Sequence, residues 1–191
     1  MMATTTICRA ALVVALLAAP GLHAAEVAGV KVDDRVRVGN SDLVLNGAGL
    51  RSKVFIKVYV GALYVGQKAT TPAAIYDSTQ PRRMVMRMMR DLDADSLNSA
   101  LDEGLKNNHT PAELAEMKPQ ADALAAIMKA IGKAREGDTI TIDFSVDGVV
   151  VGLNGETRGK VAGAGFAKAL LKVWLGDKPA DASLKKALLG S

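Results

Sequence analysis

Two dipeptides, Asp147-Gly148 and Asn154-Gly155, punctuate three runs of alternating residues late in this 191-residue chain. Ile140, Ile142 and Phe144 alternate with Thr139, Thr141, Asp143 and Ser145. Val149 to Leu153 and Glu156 to Val161 follow the two turns. Asp-Gly and Asn-Gly favour the positive-φ turns that match strand twist, so the segment predicts an antiparallel meander. A parallel sheet would need a helix-length crossover where this chain has two residues.

The N-terminal half shows the same period. Val36 and Val38 face Leu43 and Leu45 across the turn-like Gly39-Asn40-Ser41-Asp42, which predicts a small hairpin. Lys53 to Val65 reads as one long β segment, with Val54, Ile56, Val58 and Val60 on one side. Arg83 to Arg90 reads as a further strand, with Met84, Met86 and Met88 opposite Arg83 and Arg87. Between these blocks the period becomes helical. Leu97, Leu101 and Leu105 recur every fourth residue behind the caps Asp93 and Asp95. Thr110, Pro111 and Glu113 form a capping-box signature, and Pro119 splits the helix that follows before Leu124, Ile127, Met128 and Ile131 carry its stripe to Gly132. Phe166, Leu170, Val173 and Trp174 are helically spaced, and Asp181 caps a last helix reaching Leu188. Strands and helices in this order make an α+β fold, a large antiparallel sheet covered on one face by a helical layer.

Residues 1–25 read as an export signal: Arg9 precedes the apolar run Ala10 to Ala19, Pro20-Gly21 breaks it, and cleavage is expected near Ala24 or Ala25. Residues 26–191 are then one domain, bound for the periplasm and without a stable membrane span. The single Cys8 leaves with the leader, so no thiol chemistry is expected in the mature protein. The net charge of +4 is spread among interleaved acids, which argues against a nucleic-acid surface. His109 is the one histidine beyond the leader and has no ligand-spaced partners, so neither a metal nor a cofactor is expected. No nucleophile elbow or phosphate loop occurs.

Asn46-Gly47-Ala48-Gly49-Leu50-Arg51 is the segment that most resembles a site. Its glycines permit tight backbone approach, and they deliver an arginine whose planar fork suits a carboxylate or phenolate. A strand-end arginine paired with a surface acid satisfies the same spacing. The Met-rich strand suits either an adaptable core or the wall of an apolar pocket.

That segment, with Phe55 to Val65, Val173-Trp174-Leu175-Gly176 and Ser183-Leu184-Lys185, resembles the chalcone isomerase superfamily, specifically its bacterial, exported chalcone-isomerase-like branch. The resemblance implies an open-faced β-sandwich with a ligand cleft between sheet and helices. It also implies one of two activities: an intramolecular lyase that closes a phenolate onto an enone, or binding of a fatty acid whose carboxylate the arginine holds. The arginine carries over as Arg51, and Tyr59 stands at the place of the strand threonine. On the helical side, Asn107, Asn108 and His109 are the polar groups available, which makes Asn108 and His109 candidate ligand contacts beside Arg51 and Tyr59.

Three readings follow. In the first the protein binds a fatty acid or similar amphipathic anion. In the second it is an isomerase using Arg51 and Tyr59. In the third it is a structural or partner-binding envelope protein. Arg51 and Tyr59 would lie about 26 Å apart on one straight strand, so either the chain bends near Ser52-Lys53 or the two side chains touch opposite ends of a long ligand.

Overall fold

A computed structural model describes residues 25–190; the expected export signal, apart from Ala25, lies outside them. Seven strands form one antiparallel sheet: β3 (Arg35–Val38), β4 (Ser41–Lys53), β5 (Ile56–Val65), β6 (Arg82–Met88), β9 (Thr139–Ser145), β10 (Gly148–Leu153) and β11 (Glu156–Ala162). Their spatial order is β11-β10-β9-β6-β5-β4-β3. Two short ladders lie outside it: β1 (Ala25–Val27) pairs with β2 (Val30–Val32), and β7 (Leu92–Asp93) with β8 (Lys133–Ala134).

The helices follow their sequence signals. In α1 (Pro72–Tyr76) the Thr71 hydroxyl caps the first turn, and in α2 (Ala94–Asn108) Asp93 accepts from the Ser96 amide at 2.7 Å. The capping box forms as expected at α3 (Pro111–Glu116): the Glu113 carboxylate accepts from the Thr110 amide at 2.7 Å, which holds its pKa below the usual range. Pro119 sits in the first turn of α4 (Lys118–Ile131), where its missing N–H costs nothing, and Gly132 closes that helix at φ +73°. α5 (Ala164–Leu175) is buried along most of its length, and Asp181 caps α6 (Ala182–Leu188).

One sheet face carries the main core. Met84, Met86 and Met88 point toward the helices together with Ile140, Ile142 and Phe144, as the alternation predicts. The opposite face holds a smaller cluster around Leu43, Val60 and Tyr64, partly roofed by β1 and β2. The Tyr64 hydroxyl donates to the Asp33 carbonyl at 2.8 Å there.

Two corrections bear on the site. Lys53 to Val65 is not one strand: the chain reverses at Val54-Phe55, with Lys53 opposite Ile56. Both turn residues have left-handed backbones, φ +48° and +66°. The propensities of Val and Phe argue for continued strand, and the hairpin overrides them. The second correction is parity. Val58 is an extra residue at a bulge between the Arg51–Tyr59 and Ser52–Lys57 pairs, so Val58 joins the helix-side core while Val60 faces the other way. At the later hairpin the turn residues are Val146-Asp147, one position before the expected Asp147-Gly148, because Gly148 already pairs with Ser145.

Candidate functional site

Two features of β4 build the site. Asn46 is the extra residue of a second bulge, between the Leu45–Tyr64 and Gly47–Leu63 pairs. Its buried amide donates to the carbonyls of Leu188 (2.7 Å) and Ala69 (2.9 Å) and accepts from the Ala69 N–H at 2.8 Å. This ties the end of α6 to the sheet. Gly47 then lies so close beneath α6 that a Cβ would come within 2.0 Å of the Ala187 carbonyl oxygen. The glycines serve helix-on-sheet contact, and four residues beyond Gly47 the strand presents Arg51 beside the docked helix.

The hairpin places Arg51 directly across from Tyr59. The guanidinium carbon lies 5.5 Å from the centre of the Tyr59 ring, a cation–π contact. Sequence distance misleads here: the eight intervening residues go out and come back. Arg51 is half-buried, its Nε is buried without a hydrogen-bond partner, and no carboxylate among the described residues forms an ion pair with it. Asp181, the nearby acid, is committed elsewhere, accepting from the amides of Leu184 (2.9 Å) and Ser52 (3.2 Å).

Tyr59 is 5% exposed, and its hydroxyl accepts from the Trp174 indole N–H at 2.8 Å. That bond uses the oxygen as acceptor and leaves its proton for another oxygen. Burial pushes the Tyr59 pKa up, against the opposing pull of Arg51 and the indole, so the phenol stays protonated through the physiological range. Arg51 and Tyr59 border a cavity of about 40 Å³ between sheet and helices, walled otherwise by apolar side chains such as Met86, Met88, Leu101, Met128 and Ile142. Arg51 and the Tyr59 hydroxyl therefore each keep a proton to donate at this cavity, while the Trp174 N–H is already spent on Tyr59. Such a set complements a ligand head group that only accepts, as an ionised carboxylate does.

Asn108 and His109 lie elsewhere. The Asn108 side chain bonds the Gly104 and Lys178 carbonyls and the Lys178 amide, locking the end of α2 to the loop after α5. His109 Nδ1 is 2.9 Å from the Leu105 carbonyl. Both border an open surface depression with Thr110 and Lys172, apart from the Arg51 cavity. Trp174, the hydrogen-bond partner of Tyr59, belongs in the sequence to a helical stripe and to a segment of the family resemblance, and neither assigns it a place at the site. The signal for it was its indole N–H, which needs an acceptor when buried.

An antiparallel sheet with helices on one face, and a small, mostly apolar cavity between the layers, defines an open-faced β-sandwich. The chain belongs to the chalcone isomerase-like family, whose pattern it matches over residues 24–190. Its fold is similar to the crystal structure of a fatty-acid binding protein from Arabidopsis thaliana. That likeness has a TM-score of 0.64 at 16% identity and covers 84% of this chain and 92% of the plant protein. No curated protein matches the sequence. No helix among the described residues is long and apolar enough to cross a membrane.

Proposed function

We propose that this protein binds a long-chain fatty acid or a similar apolar carboxylate between sheet and helices, with Arg51 and the Tyr59 hydroxyl on the carboxylate. The observation that carries the reading is the Arg51 guanidinium, its Nε buried without a partner at the edge of an apolar cavity. Natural proteins seldom leave a buried charged donor unmatched, and an external anion completes it. The fold shared with the plant fatty-acid binding protein supports the same reading.

The cavity is smaller than the roughly 300 Å³ at which ligand pockets begin, so occupancy requires the wall to open. Met86, Met88 and Met128 suit that, because unbranched thioether side chains repack at low cost. Binding ranks ahead of ring closure because the two polar groups left free at the cavity, Arg51 and the Tyr59 hydroxyl, both have a proton to donate. A phenolate-forming reaction also needs a group that accepts a proton, and the raised Tyr59 pKa makes it a poor base. Export through a signal cleaved near Ala24 or Ala25 is part of the proposal, and N-terminal sequencing of the mature protein tests it.

The binding test is titration of the delipidated protein with oleate and with methyl oleate, in the wild type and in Arg51→Met. Oleate should bind at least tenfold more tightly than the ester, and Arg51→Met should erase the difference. Equal affinity for both ligands in the wild type, or none for either, contradicts the proposal.

A further inference from the structure

The β4–β5 hairpin ends in Lys53-Val54-Phe55-Ile56-Lys57. Val54, Phe55 and Ile56 are three of the four large apolar residues that stand exposed among the described residues, and Phe55 is wholly in solvent. Lys53 and Lys57 flank them and are exposed too. No acidic residue occurs in the sequence from 43 to 76. The turn also departs from the cheap solution that the same protein uses at Asn154-Gly155, where φ is +52° and +85°. At Val54-Phe55 two side chains that disfavour φ > 0 occupy a turn that solubility and backbone energy would both assign to Asn-Gly. Strain kept at an exposed apolar tip points to a use for those side chains.

The geometry points to an anionic phospholipid surface as the occupant of this tip. Val54, Phe55 and Ile56 would enter the headgroup–acyl boundary while Lys53 and Lys57 pair with lipid phosphates, a combination of apolar wedge and cationic collar that matches the chemistry of that interface. The tip belongs to the hairpin that bears Arg51 and Tyr59. The inference stands on the tip alone and holds whether or not the cavity takes a fatty acid.

The full chain carrying Phe55→Trp is mixed with vesicles of phosphatidylglycerol and phosphatidylethanolamine, or of phosphatidylcholine alone. With anionic vesicles, emission from position 55 should shift to the blue and be quenched by acyl-brominated lipid, and added salt should reverse both effects. Lys53→Gln and Lys57→Gln, placed in that background, should each weaken partitioning about fivefold. In the otherwise native chain, Val54→Asn/Phe55→Gly keeps a favourable turn and should lower vesicle co-flotation at least tenfold.

Three results overturn the inference. The first is emission unmoved by anionic vesicles. The second is equal binding to phosphatidylcholine. The third is a lipid-free, concentration-dependent blue shift accompanied by dimerisation, which would assign the tip to a second copy of the chain.

Discussion

Two of the positive-φ hairpin turns among the described residues invite a direct exchange. Both are two-residue loops, one built from Val54-Phe55 (φ +48°, +66°) and the other from Asn154-Gly155 (φ +52°, +85°). Left-handed backbone costs an L-residue about 1–2 kcal/mol, while Asn and Gly adopt it at little cost. Because Val54 and Phe55 are exposed in the folded state, Val54→Asn/Phe55→Gly sacrifices almost no burial. Subtracting about 0.5–1 kcal/mol for the extra freedom of glycine in the unfolded chain leaves a gain near 2 kcal/mol. In a chain of this size that raises Tm by roughly 4–8 °C.

The reverse exchange, Asn154→Val/Gly155→Phe, should cost more than the conformational term. Asn154 also accepts from the Thr139 amide and donates to the Asp138 carboxylate, both at 2.8 Å. Losing these bonds adds about 2 kcal/mol. Differential scanning calorimetry of both double variants measures the asymmetry. A Tm for Val54→Asn/Phe55→Gly at or below that of the wild type would refute the claim that the tip is strained.

Other consequences are checked as simply. Asn46→Ala strands the Ala69 and Leu188 groups it bonds and should cost about 3 kcal/mol, read as a lower urea midpoint at an unchanged m-value. Gly47→Ala drives a methyl into the Ala187 carbonyl and should loosen α6, which hydrogen exchange would report as lost protection over Ala182–Leu188. Burial, with Asp33 and Asp34 adding to it against Arg83, pushes the Tyr64 pKa from near 10 up to about 12. The folded state therefore holds this proton where the unfolded chain has lost it. Its contribution to stability should be level below pH 10 and lost between pH 10 and 12, so the alkaline fall should be less steep in Tyr64→Phe. A Tyr64→Phe slope equal to that of the wild type contradicts this.

Much of the fold was legible because its signals are local. The capping box at Thr110 and Glu113, the Asn154-Gly155 turn and the shared face of Met84, Met86 and Met88 each depend on residues within a few positions of one another. The site was legible only in its members. Arg51 and Tyr59 were identified singly, but their meeting depends on a reversal at two residues whose propensities favour strand, and on a bulge at Val58 that shifts parity. Neither has a compositional signal. Tyr59 also meets Trp174, 115 positions away, a contact that α5 creates only by packing across the sheet. Asn108 and His109 show the same difficulty: polar groups between helices can serve a ligand or a helix end, the Asn108 side chain bonds the helix end, and both residues lie apart from the Arg51 cavity.

The ionisation of a bound ligand reports most directly on Arg51. Oleate labelled with carbon-13 at its carboxyl would be followed by NMR across a pH titration on the wild type and on Arg51→Met. With Arg51 present the bound carboxyl should titrate below its value in the variant, where an apolar cavity disfavours the charge and raises the pKa by a unit or more. Indistinguishable titration curves in the two proteins would mean that the guanidinium does not hold the head group.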